Sequence, residues 1–184
     1  GDFSIGAVWV YTRSVTTWTQ QTVIYNPLTT NTFQFGIDVS LSTTGDKLAV
    51  NMQYDTTAFI YSRSGITWTV EATLTPTGVS AGSQFNRGIA LSPDGKMCCV
   101  GYPTDITTSA ITFKGSVVVF RNTGSWGQTQ IIYGNTFGNP KFGDTLAIST
   151  NRINVGAFLD DYENAGANHI FTINPTTFIA TQED

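Results

Sequence analysis

Three carboxylates lie within four residues at Asp160-Asp161-Tyr162-Glu163, the densest acidic run of the chain. Hard cations take several carboxylate oxygens from one short loop, so Asp160, Asp161 and Glu163 are the candidate metal ligands. A solvated loop uses the same residues, and the preceding repeat offers only Asp105 between Tyr102 and Lys114, so the acidic character is local. The chain has a single histidine, His169, in a segment that reads as a strand, where packing is the expected role. No Ser/His/Asp constellation assembles around it. The two cysteines are adjacent, Cys98 and Cys99. Side chains alternate across a strand, so they are expected on opposite faces as small buried hydrophobes, not as a disulfide or an activated thiol. Zinc would need further ligands at regular spacing, and none are present. The five arginines, Arg13, Arg63, Arg87, Arg121 and Arg152, fall at unlike places and suggest no convergent cluster. The expectation is no catalytic residue, no cofactor site and no metal beyond the weak acidic candidate.

The elements that would position these residues repeat. Gly6-Ala-Val-Trp-Val-Tyr11 recurs as Thr56-Thr-Ala-Phe-Ile-Tyr61, Gly115-Ser-Val-Val-Val-Phe120 and Gly166-Ala-Asn-His-Ile-Phe171. Each copy is followed, after a short turn, by an aromatic residue: Trp18, Trp68, Trp126 and Phe178. Between the copies lies a second motif, begun by Phe35, Phe85 and Phe142 and ending in Leu-Ser, Leu-Ser and Ile-Ser. A tight turn then leads to Leu48-Ala-Val-Asn51, Cys98-Cys-Val-Gly101 and Ile153-Asn-Val-Gly156, with Asp94-Gly95 a strong hairpin signal in the second copy.

Each unit therefore holds four strand-like runs, a to d, at a period of 50 residues between Phe35 and Phe85 and 57 between Phe85 and Phe142. Four antiparallel strands per ~40–50 residues mark a propeller blade. The fold class expected is all-β, a β-propeller of four-stranded antiparallel blades of about 50 residues. Residues 1–30 form a half blade (strands c and d), and 31–79, 80–138 and 139–184 form blades. Trp18, Trp68, Trp126, Phe178, Phe35, Phe85 and Phe142 are the structural residues of the repeat. Strand a should be innermost.

Composition agrees. Hydrophobic residues make up 40%, aromatics 12% and charged residues 12% of 184 positions, with abundant Thr. Thr, Val, Ile and aromatics favour strands. Net charge is −4 and no Lys/Arg cluster is present, which argues against a nucleic-acid partner. Apolar runs are strand-length, well short of the ~20 residues of a membrane-spanning helix. The chain opens in mid-pattern at Gly1-Asp2-Phe3, which predicts a segment whose true start lies elsewhere.

The motifs resemble the FG-GAP repeat family, as in the integrin α-subunit propeller. Phe35-Gly36, Phe142-Gly143, Leu91-Ser-Pro-Asp-Gly95, Leu48-Ala-Val50, Val100-Gly-Tyr-Pro103 and Val155-Gly-Ala157 carry the resemblance. It departs from the family at Asn86 and Asn51-Met52. That family's calcium loop places several carboxylates between strands a and b. Here the turns Ser42-Thr-Thr-Gly-Asp46, Ser92-Pro-Asp-Gly95 and Ser149-Thr-Asn-Arg152 carry at most one each, so the resemblance is to the subset that does not bind calcium. The turn Gly65-Ile-Thr-Trp68 is similar to the end of the Asp-box of sialidase-type propellers, without its Asp.

The function expected on these grounds is a non-enzymatic structural or adhesive module. Its loops would bind other protein chains or glycans on a secreted, cell-surface or virion-surface protein, or it would pack against further blades of the same chain. No Asn-x-Ser/Thr acceptor occurs, which favours a bacterial or viral surface. The rival is a propeller-type glycosidase or lyase with its site at the ring axis. Unlike, polar residues at the axial ends of the a strands would mark it, and in the sequence those strands look alike and plain.

Overall fold

The computed structural model describes residues 6–28, 34–52, 56–80, 87–106, 114–134, 141–159 and 166–183. Phe85, Asp160, Asp161 and Glu163 lie outside the described residues. No helix occurs among the described residues, and the chain is all-β.

Three four-stranded antiparallel sheets and one two-stranded sheet follow one another along the chain. The two-stranded sheet is β1 (Ala7–Ser14) and β2 (Thr17–Tyr25). The first full sheet runs in the order β3 (Phe35–Leu41), β4 (Lys47–Met52), β5 (Ala58–Ser64) and β6 (Thr67–Leu74). The second has β7 (Ile89–Leu91), β8 (Met97–Tyr102), β9 (Ser116–Asn122) and β10 (Trp126–Tyr133). The third has β11 (Thr145–Ile148), β12 (Arg152–Ala157), β13 (Ala167–Ile173) and β14 (Ala180–Gln182). The four strand-like runs expected within residues 31–79 thus form one antiparallel sheet.

The sheets stack face to face, so the middle sheet is buried on both sides. One face of β8 and β9 gives Cys98, Val100, Val118 and Phe120 to a core shared with Ala49, Ile60 and Leu74. The other gives Met97, Cys99, Val117 and Val119 to a core shared with Ile153, Val155 and Phe171. A strand covered on both faces cannot alternate apolar with polar residues, which is why Met97–Tyr102 reads as a continuous buried run. Cys98 and Cys99 fall on opposite faces, as strand geometry requires. Burial pushes both thiols up, Cys99 to about 12, so neither is a ready nucleophile.

Serine closes each a–b turn. Ser42, Ser92 and Ser149 accept through Oγ from the backbone N–H of Lys47 (3.1 Å), Met97 (2.9 Å) and Arg152 (3.1 Å). This satisfies an amide the tight turn leaves unpaired.

The outer joints between sheets repeat a different device. The first three c–d hairpins each carry a β-bulge, and the residue skipped in the ladder is Gln21, Glu71 and Thr129 in turn, whereas the β13–β14 ladder is regular. A bulge re-aims a side chain. Gln21 Oε1 accepts from Trp68 Nε1 at 3.2 Å, and Glu71 Oε1 accepts from Trp126 Nε1 at 2.9 Å in the next sheet. Trp68 and Trp126 are equivalent, opposite Arg63 and Asn122 in their ladders, as expected from their spacing. The third joint differs. The ladder position belongs to Ala180, opposite Ile173, and Gln130 grips its backbone in both directions at 2.8 and 2.9 Å. Phe178 lies before β14 in a turn, with φ of 58°. The extra residues of Asn174–Phe178 displace the aromatic from the ladder, which corrects its assignment as the fourth equivalent of Trp18.

The sheets meet closely where strand c begins. Gly115 forms a parallel bridge to Phe142, as Gly6 does to Phe35. A Cβ on Gly115 would lie 2.2 Å from Phe142 O, and its φ is +80°. Gly115→Ala is therefore expected to cost at least about 2 kcal/mol, combining left-handed strain with a backbone clash. Urea denaturation checks this, with Gly124→Ala as a comparison for φ strain without a clash, since nothing lies within 4 Å of a Cβ there.

Candidate functional site

Along the inner strands β3, β7 and β11 runs a groove of about 400 Å³ lined by Asp38, Ser40, Ile89, Leu91, Leu146 and Ile148, among others. Each a strand has a free edge here, and β3 satisfies part of the edge of β7 with side chains. Asp38 Oδ2 accepts from Ile89 N–H and Ser40 Oγ accepts from Leu91 N–H, both at 2.9 Å. Asp38 Oδ1 also accepts from Val39 N–H at 2.9 Å. Buried Asn51 ties the same end together. Its Oδ1 accepts from Asp38 N–H at 2.9 Å and its Nδ2 donates to Arg87 O at 3.2 Å.

At that end the next joint is charged. Arg87 Nε lies 3.3 Å from Asp144 Oδ1, with the carboxylate only 17% exposed. Gly88 lets the second and third sheets approach there: a Cβ on it would be 3.1 Å from Gly143 O and 3.2 Å from Asp144 O. Lys141 stands just before Phe142 with φ of 57°, a left-handed conformation that costs a side-chain-bearing residue energy. Burial lowers its pKa, and Arg87 adds to that while Asp144 opposes it. Burial raises the pKa of Asp38 against the hydrogen bonds from Ile89 and Val39. Lys141 pushed down and Asp38 pushed up, both chiefly by burial, thus lie at the same end of the sheets as the Arg87–Asp144 pair.

The sequence-derived candidates lie elsewhere or outside the described residues. Asp160, Asp161 and Glu163 belong to the latter. His169 packs edge-on against Phe142 with ring centroids 5.4 Å apart. Phe35 and Phe142 are buried and Trp18 is exposed. The cluster of Arg87, Lys141 and Asp144 was missed although its signal is present: two residues after Phe35, Phe85 and Phe142 the chain has Ile37, Arg87 and Asp144. Unlike, polar residues at the ends of the a strands are what the enzyme reading named, and two of these three positions carry them.

No protein-family model matches the sequence, and no curated protein matches it. Among solved structures, the fold matches a Bacteroides uniformis protein described as a "putative 6-phosphogluconolactonase", at TM-score 0.64 and 13% identity over 99% of this chain and 48% of that one. It also matches a Lactobacillus plantarum protein at TM-score 0.62 and 15% identity, over 97% of this chain and 48% of that one. The chain thus spans about half the length of either structure. At such identity the likeness establishes the fold. The expectation of a non-enzymatic adhesive module is corrected by this likeness, which is to a protein described as an enzyme, and two of the strand ends read as plain carry Arg87 and Asp144.

The environment of Asp38 has a pH signature. Its pKa is raised on folding, so the unfolded chain loses this proton first as pH rises. Between the ordinary value of 3.8 and the raised one, the native chain should therefore lose stability with rising pH relative to Asp38→Asn. Urea midpoints of the two proteins across that window check the sign.

Proposed function

We propose that the chain is part of a propeller-type enzyme, a hydrolase acting on a sugar-derived lactone at the axial end formed by Arg87, Lys141 and Asp144. This replaces the adhesive reading and narrows the axial glycosidase or lyase alternative. The observation that carries it is the Arg87–Asp144 pair across the sheet boundary, beside Lys141 in a strained backbone conformation. Lactone hydrolysis adds water across the acyl carbon–oxygen bond: the water oxygen bonds the carbonyl carbon, and the ring oxygen leaves and takes up a proton. Asp144 is positioned to accept the proton from water, and Arg87 and Lys141 to stabilise the developing oxyanion or an anionic substituent. Asp38 and Asn51 act as positioning residues, since both hold the backbone of β7 or the segment before it.

The same reading calls for further β-structure. β5, β9 and β13 each pair with a b strand, whereas β1 pairs only with β2 among the described residues. Beside that open edge Ile37, Val39 and Leu41 are 40%, 44% and 55% exposed, on the face of β3 turned away from β7. Further blades of the same polypeptide, or another chain, would supply the missing a and b strands and cover this apolar stripe, blunting an edge that otherwise invites aggregation.

The test is hydrolysis of phosphorylated and unphosphorylated sugar δ-lactones, followed by acid release. The expected result is acceleration over spontaneous hydrolysis that falls by about 10²-fold or more in Asp144→Asn and Arg87→Ala, typical for loss of a proton acceptor or an oxyanion partner. No acceleration, or equal rates in both variants, would refute the assignment.

A further inference from the structure

At the opposite end of the sheets, where the a–b turns lie, the joint between the second and third full sheets opens into a cleft of about 490 Å³. The equivalent place in the joint before it is filled by a polar clamp. There Glu71 is ion-paired with Lys47 and accepts from Asn122 Nδ2 (3.1 Å) and Trp126 Nε1 (2.9 Å). The repeat register maps this clamp residue by residue onto the later joint. Lys47 becomes Met97, Glu71 becomes Thr129, Asn122 becomes Ile173 and Trp126 becomes Ala180. Every member of the clamp has been replaced by a residue that cannot rebuild it. Thr129 turns back and donates to Val119 O in its own hairpin.

What remains is a largely apolar slot with Arg121 inside it and Lys96 at its mouth. Met97, Ile173, Pro175 and Phe178 line its walls. Arg121 reaches in from β9, at the place where the preceding sheet has Ser62, and its guanidinium lies over the Phe178 ring. The left-handed backbone at Phe178 presents that ring to the cleft, a strained conformation without glycine's freedom. Lys96 and Asp94 stand at the mouth, where the lysine charge helps hold the Asp94 carboxyl below its usual range, after desolvation and the bonds from Ser92 and the Lys96 amide are counted. No carboxylate among the described residues forms an ion pair with Arg121.

We infer that this cleft is a binding site for a small organic anion with a flat apolar body. The ring or chain would lie between Met97, Ile173 and Phe178, and the anionic group would meet Arg121. An arginine offers a planar fork to a carboxylate, sulfonate or phosphate, and the apolar walls strengthen that contact by excluding water. The site is separate from the axial cluster and does not depend on the lactone reading.

The probe is anilinonaphthalene sulfonate, an aromatic anion whose fluorescence rises on transfer from water. The expected result is saturable binding of one molecule per chain, with near-UV circular dichroism unchanged. Arg121→Gln should weaken it by about tenfold, as expected for loss of a charge-assisted contact. Ala180→Trp, which restores the aromatic of the preceding joint, should abolish it. The uncharged analogue phenylnaphthylamine should bind more weakly than the anion. Equal affinity in Arg121→Gln, equal affinity for the uncharged analogue, or fluorescence that rises without saturating would overturn the inference. Arg121→Gln keeps the core side chains intact, so it remains informative if the tryptophan variant is poorly folded.

Discussion

The structure depends on one constraint: a four-stranded sheet has two faces to bury and its neighbours in the chain must bury them. Stacking the sheets solves the apolar part of that problem, and the cores on either side of β8 and β9 are the result. It leaves a polar problem at the rims, where strand edges and turn amides face the next sheet without a ladder partner. The chain meets it with short side chains at fixed places in the repeat. Serine closes the a–b turns. A bulged Gln or Glu takes the indole N–H of the next sheet. Asp38 and Ser40 take the free amides of β7.

These rim contacts explain where the unusual residues lie. The repeat fixes the backbone, so a position can change its side chain without changing the fold, provided another device holds the joint. At the third outer joint Gln130 grips the backbone of Ala180 and so frees the indole position. The cleft opens there. Between β7 and β11, Gly88 and Ala90 stand where β3 has Asp38 and Ser40, the sheets approach closely, and the Arg87–Asp144 pair bridges the end. Both candidate sites are departures from the repeat, sustained by a substitute contact nearby.

The repeat itself was legible because its signals are large. Aromatic residues six or seven apart across a hairpin, and Phe at a period near fifty, survive any uncertainty about individual strands. The strand boundaries of Phe35–Leu74 follow from them. The cluster around Arg87 and Asp144 was not legible in the same way. Arg87 and Asp144 are distant in sequence and meet only because Gly88 allows the second and third sheets to close on each other. Treating the arginines as scattered overlooked that Arg87 and Asp144 share one lattice position with Ile37. Phe178 misled for the opposite reason: its spacing from Phe171 matched the pattern, but the Asn174 turn takes up residues that the other hairpins give to the ladder.

The claim that bulged side chains lock successive sheets together is tested most directly by a double-mutant cycle between Glu71 and Trp126, using Glu71→Ala and Trp126→Phe, read by urea denaturation at neutral pH. Phenylalanine keeps most of the ring but lacks the indole N–H that Glu71 accepts. The account predicts a coupling of about 1 kcal/mol or more, as for a hydrogen bond to a charged acceptor that is partly shielded from water. Additive single effects, with coupling under about 0.3 kcal/mol, would contradict it.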